Sequence, residues 1–174
     1  PEALRTQGYL NRNVWKFSWK EKRYGQSEHF RAKPNRIDAL LHHLQPAERL
    51  PVIFFTFGRR RTEELAYELS KFNFLKLEER IEILDLFRKL CERYGLIQES
   101  SGQNILPLIE RGIAFHHAGM LPTLKEVIEQ LFTSRLIKLI FTTETFALGI
   151  NMPARTVVFD ELRKFYGTHF ANLR

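Results

Sequence analysis

Four short apolar runs without polar alternation constrain this chain most: PVIFFTF at 51 to 57, IAFHH at 113 to 117, IKLIFTT at 137 to 143 and TVVFDE at 156 to 161. A strand with one wet face alternates apolar and polar residues. A strand that does not alternate is buried on both faces, the condition of a parallel sheet covered by helices. Amphipathic segments separate the runs. Leu65, Ala66, Leu69 and Phe72 make one stripe over RRRTEELAYELSKF, for which Gly58 is an acceptable cap, and PTLKEVIEQLF at 122 to 132 is a second helix. Residues 77 to 94 predict another, with Leu77, Ile81, Leu84 and Tyr94 on its apolar side and Gly95 at the C′ position. The polar run QESSGQN reads as a loop leading into a short helix, ILPLIERG. The alternation predicts a parallel α/β sheet with right-handed crossovers.

Ahead of the first run, Pro34 and Asn35 open a helix whose Ile37, Leu40, Leu41 and Leu44 follow the i, i+3, i+4, i+7 rule. Residues 1–33 differ in character. They are rich in Arg, Lys, Trp and Tyr, and the alternation from Val14 to Lys20 suits a half-exposed strand, so they predict an extended connector or hairpin arm.

At 174 residues with 44% apolar content, one folded unit is the default. The excess of 27 Lys and Arg over 20 Asp and Glu, +7 with neutral His, suits a polyanionic partner and equally suits a basic surface without one. The single Cys91 has no disulfide or metal-ligand companion, which points to a reducing compartment. No apolar run approaches the roughly 20 residues that span a bilayer, and no signal pattern opens the chain. The expectation is an intracellular, cytoplasmic protein, with a nuclear location left open if the source is eukaryotic, acting without a membrane. Starting at Pro1 without Met and stopping at Arg174, the chain is expected to be part of something longer.

In parallel α/β sheets ligands bind at the C-terminal ends of the strands, which selects three loops. After the third run, FTTETFALGINMPARTVVF holds Thr143 and Thr145 in register, whose hydroxyls and N–H groups suit a phosphate, and Gly149, which permits close backbone approach. The alternative for this loop alone is a capped turn. After IAFHH, the segment His117-Ala118-Gly119-Met120 leads to a helix start, where free N–H groups and the positive dipole end favour an anion. A metal on His116 and His117 is disfavoured because neighbours in a strand point to opposite faces; structural histidines are the other reading. After PVIFFTF come Thr56, Phe57, Gly58 and Arg59-Arg60-Arg61 at a helix start, awkward for the dipole unless an anion binds or Glu63 and Glu64 compensate. A solvated basic turn accounts equally well for Arg60 and Arg61, less well for Arg59.

These residues resemble the superkiller-like DExH-box helicases of helicase superfamily two, mostly RNA helicases. PVIFFTFGRRRTEELA is similar to helicase motif IV, GIAFHHAGMLP to the motif that follows it, and TTETFALGINMPARTVVF to motif V. The last is the most specific, because its joint spacing over 18 residues is hard to obtain by chance. The likeness covers roughly Pro34 to Phe165, with 73 to 111 poorly aligned. It implies a three-layer RecA-like (P-loop NTPase-type) domain, the second of a helicase, over 34–174, with motif VI beyond Arg174. Thr145 and Thr143 would hold a backbone phosphate, Thr56, Arg59, His117 and Gly119 would line the same nucleic-acid track, and Gly149 and Asn151 would face the nucleotide. Gly58 stands where relatives often carry Ser, removing a hydroxyl.

The sequence contains neither a GxxxxGK[ST] phosphate loop nor a DExH strand, and Asp160-Glu161 follows motif V without the required His. No catalytic residue and no metal ligand is therefore assigned. ATP with Mg²⁺ would be bound mainly by the preceding RecA-like domain, the isolated chain would not hydrolyse ATP, and a monomer on single-stranded RNA is expected. The alternative is a RecA-like platform for RNA or protein in an inactive helicase relative.

Overall fold

In a computed structural model of the chain, the structure describes residues 37–46, 48–147, 153–160, 163–165 and 170–172. The predicted arm over 1–33 and the cap at Asn35 lie outside them. The chain divides into two compact units between His42 and His43, a boundary within helix α1 (Ile37–Leu44), whose Ile37, Leu41 and Leu44 are buried.

From His43 onward, four strands form one parallel sheet: β1 (Val52–Phe55), β2 (Ile113–His116), β3 (Leu139–Thr142) and β4 (Thr156–Phe159), in the spatial order β2-β3-β1-β4. Every residue of β2 and β3 is buried, and the Phe54 and Phe141 rings meet 5.2 Å apart on neighbouring strands. Strand β4 departs from the expected two-sided burial: it takes the sheet edge, and Val157 and Phe159 are exposed. A two-stranded antiparallel pair, β5 (Arg163–Phe165) and β6 (Phe170–Asn172), follows.

Helix α2 (Arg59–Glu68) and a 3₁₀ turn (Leu69–Lys71) bury Leu65, Ala66 and Leu69 along the predicted stripe. Helix α5 (Pro122–Thr133) starts with Pro at its first position and buries Leu124, Val127, Ile128, Leu131 and Phe132. Two expectations between β1 and β2 are overturned. Helix α3 (Leu77–Arg93) turns Ile83, Phe87, Leu90 and Cys91 inward, leaving Leu77 69% and Ile81 62% exposed. Burial of the four inward side chains sets the rotation, and Glu79 on the same face accepts the Lys76 N–H at 3.0 Å and pairs with Lys138 at 2.7 Å. Gly95, with φ of 69°, ends α3 as expected, the Leu96 N–H bonding to Cys91 and the Gly95 N–H to Glu92.

Helix α4 (Ser100–Ile109) starts inside the segment expected to be a loop. Gly102 explains this: a side chain there would stand 3.3 Å from the Leu96 carbonyl, so a polar-looking turn packs closely and helps bury Ile105, Leu108 and Ile109. Among the described residues no helix is long and apolar enough to cross a membrane.

Candidate nucleic-acid interface

The strand register aligns the C-terminal ends. Phe55 pairs with Thr142 and with Phe159, and His116 pairs with Thr142. One residue further, His117, Thr143, Thr56 and Asp160 form a row across the sheet, tied by Thr143 N–H to the His116 carbonyl (3.4 Å), Thr56 N–H to Thr142 (2.8 Å) and Asp160 N–H to Phe55 (2.9 Å). Of seven buried polar side chains among the described residues, Thr56, Thr62, His116, His117, Thr142 and Thr143 gather at or beside this edge, and only Thr156 lies at the other. Burying a polar group without a partner costs roughly 1–3 kcal/mol, and at this edge only His116 Nδ1, among the described residues, is buried without one.

The Thr56 hydroxyl is fully buried and lies 2.8 Å from that of Thr62, which bonds the Gly58 carbonyl at 2.7 Å. With the Thr62 proton on that carbonyl, Thr56 donates to Thr62, and its hydroxyl shapes the turn from inside it. Gly58 caps α2 without a side-chain bond. A Cβ there would meet nothing nearer than the Arg61 Cβ at 3.7 Å, so a Ser would fit at this position.

The two histidines diverge as strand neighbours should. His116 Nε2 lies 2.8 Å from Glu129 of α5, and its ring packs 4.6 Å from Phe146. Burial, with Lys125 and His117 adding repulsion, pushes the His116 pKa down to about 4, so a neutral ring donates to the carboxylate. Burial and the neighbouring Glu126 in turn raise the Glu129 pKa. His117 faces α2: its Nε2 is 2.8 Å from Glu63, its Nδ1 accepts the Gly119 N–H at 3.1 Å, and its ring stacks on Phe115. Because an N–H can only donate, Nδ1 is the bare nitrogen and the ring proton sits on Nε2. The ring proton of His117, a residue expected to line the nucleic-acid track, is directed at Glu63.

The three arginines separate. Arg60 pairs with Glu64 at 2.7 Å and Arg61 with Asp160 at 3.5 Å. Arg59 is exposed and has no ion pair among the described residues. Its stem crosses Gly119, where a Cβ would meet Arg59 Cδ and His117 Nδ1 at 3.2 Å. The loops after β1 and β2 thus bring Thr56, Arg59, His117 and Gly119 into one neighbourhood.

After β3, Thr143 is buried and the chain turns into a 3₁₀ helix (Glu144–Ala147) that contains Thr145. Phe146 anchors this turn, bonding its N–H to the Thr143 carbonyl and packing on His116 and Phe132. Gly149 and Asn151 lie outside the described residues. Sequence reasoning missed Thr62, Glu129 and Phe146, and treated Glu63 only as a compensating charge. Nothing in the local pattern reveals these roles, since Glu63 meets a histidine 54 residues away.

No protein-family model matches the chain. It is 43% identical over 140 residues to the Superkiller complex protein 2 of Homo sapiens, covering 78% of this chain and 11% of that protein. It is 46% identical over 122 residues to the ATP-dependent RNA helicase mtr4 of Schizosaccharomyces pombe, covering 69% of this chain and 11% of that protein. It is 40% identical over 139 residues to the Exosome RNA helicase MTR4 of Homo sapiens, covering 79% and 13%. The chain therefore spans about a tenth of the length of these relatives. Over that shared segment it belongs to the superkiller-like family of DExH-box helicases.

Proposed function

We propose that the chain is the second RecA-like motor domain of an ATP-dependent RNA helicase, and that it holds the phosphate backbone of a single strand along the C-terminal edge of its sheet. The observation that carries this reading is the meeting of Arg59 with Gly119, a cation without a carboxylate partner among the described residues laid over a residue that lacks a side chain. The family relationship supports it, because two of the relatives named above are RNA helicases by name. Arg59 supplies charge to the phosphates, the Thr143 hydroxyl and the Thr145 hydroxyl or N–H are assigned to bond them, and the Thr143 N–H stays on the His116 carbonyl. Thr56 and His117 hold the turns that present them. Such contacts read no bases, as a motor that moves along any sequence requires.

ATP with Mg²⁺ would supply the free energy that closes and reopens the cleft to the preceding RecA-like domain, which would hold most of the nucleotide. Gly149 and Asn151 are this chain's residues assigned to face it. Opening and closing would shift the phosphate grips along the strand as a population shift between two arrangements. The domain acts within a monomer.

Thr145→Val in the full-length protein tests the grip. It preserves side-chain shape and removes the hydroxyl. Strand affinity is expected to fall by about 1.5–3 kcal/mol, equally for every base sequence. Unchanged affinity with a lowered melting temperature would make Thr145 a turn residue and remove the central assignment.

A further inference from the structure

Helix α2 contains an internal control. Arg59 and Glu63, like Arg60 and Glu64, are four residues apart and share a helix face, the spacing at which opposite charges pair. Arg60 and Glu64 do pair, at 2.7 Å. Arg59 and Glu63 do not: the Glu63 carboxylate is 2.8 Å from His117 Nε2, and Arg59 has no ion pair among the described residues. The two pairs share helix and spacing, and only the first has a histidine from another strand beside its carboxylate. The His117 ring is held from its far side by the Gly119 N–H on Nδ1 and flat against Phe115, so its Nε2–H has one direction to point.

We propose that His117 is a positioning residue that draws the Glu63 carboxylate away from Arg59 and so keeps that guanidinium available for a strand phosphate. Gly119 belongs to the same device. Its N–H orients the ring, and its missing side chain leaves the path along which the Arg59 stem lies, within 3.3 Å of where a Cβ would stand. Arg59 occupies the first turn of α2, where the helix dipole disfavours a cation. An unpaired arginine at that position is costly unless an anion visits it, and sequestering the nearest carboxylate directs that anion to be the nucleic acid. The inference rests on the strand-grip reading of Arg59.

The test measures affinity for a labelled oligouridylate in the full-length protein at low and high salt. Arg59→Ala comes first, and a loss of about tenfold is expected for one charge-assisted contact. His117→Asn follows, because Asn keeps an acceptor for the N–H two residues on and removes the donor to Glu63. With Glu63 released onto Arg59, affinity should fall about threefold to tenfold at low salt and less at high salt. Glu63→Gln by itself should leave binding unchanged, since the amide oxygen still accepts from Nε2. Added to His117→Asn, it should restore binding, because the competing charge is gone.

A residue that merely stabilised the turn would not be rescued by a second change that adds no contact, and thermal unfolding of each variant reports that role separately. If Arg59→Ala leaves affinity unchanged, the strand grip at Arg59 falls and the inference falls with it. If Arg59→Ala weakens binding while His117→Asn does not, or while Glu63→Gln fails to restore it, the grip stands and the sequestration of Glu63 is wrong.

Discussion

The two edges of the parallel sheet are built on different principles. At the N-terminal edge backbone satisfies backbone: Lys138 and Leu139 donate to the Gly112 carbonyl at 2.7 and 3.1 Å, Val52 to Lys138 at 2.8 Å, and Arg155 and Thr156 to Pro51 at 2.9 and 3.2 Å. At the C-terminal edge the backbone bonds of Thr56, Thr143 and Asp160 are joined by side-chain pairs, Thr56–Thr62, His116–Glu129 and His117–Glu63. Backbone pairing accepts almost any residue, whereas a buried side-chain pair specifies both partners. Both edges therefore hold the sheet together, and the C-terminal edge adds side-chain pairs that fix its loops in a single arrangement.

The largest expected effect that tests this division is at Gly112, on the N-terminal edge. Its φ is 74°, and a Cβ would lie 3.0 Å from two Leu75 carbons and 3.3 Å from the Leu136 carbonyl. The left-handed backbone costs a residue with a Cβ about 1–2 kcal/mol, and overpacking adds about 1–3 kcal/mol. Gly112→Ala should lower the free energy of urea unfolding by about 3 kcal/mol while strand affinity per folded molecule stays unchanged. A loss of affinity in the folded fraction would mean that the two edges are coupled.

A smaller effect belongs to the other edge and depends on pH. Burial holds the His116 pKa near 4, below its unfolded value of 6.5. Between those values the unfolded chain binds the extra proton, so stability is complete above pH 6.5 and falls as the pH drops toward 4. Glu129, whose pKa is raised, works in the opposite direction and offsets part of the loss. From pH 7 to pH 5 the net loss should be about 1–2 kcal/mol, measured by urea unfolding at each pH. His116→Phe should flatten the dependence, and an equally steep variant would assign the proton uptake elsewhere.

The smallest effect sharpens the contrast within α2. The Arg60 side chain is 91% exposed and its pair with Glu64 is a surface pair, a class worth about 0–1 kcal/mol. Arg60→Ala should change both melting temperature and strand affinity within experimental error, against the clear loss expected for Arg59→Ala. An equal loss at both positions would make the arginine run a diffuse basic patch.

Strands β1, β2 and β3 were legible because burial on both faces removes alternation from the sequence itself. The same holds for the stripe on α5, where only one set of positions is apolar at helical spacing. Helix α3 was misread because its sequence carries two apolar stripes, and periodicity cannot choose between them; tertiary packing buries Ile83, Phe87, Leu90 and Cys91, and the Glu79–Lys138 pair, 59 residues apart, lies on that face. The start of α4 was hidden because polar composition resembles a loop, and the close approach of Gly102 to Leu96 is visible only in three dimensions.

For the candidate interface, sequence alone determined which loops carry it, since strand order along the chain places their C-terminal ends on one edge of a parallel sheet. It also marked the arginine run at a helix start as asking for an anion, while the difference between Arg59 and its two paired neighbours came from the tertiary structure. Tertiary structure decided what each side chain does there. Whether a histidine offers its proton to a ligand or to Glu63, and whether a threonine hydroxyl faces outward or into Thr62, depends on residues brought within 3 Å by the packing of α2 against the strands. Hydrogen bonds act over such distances only, and sequence separation carries no record of them.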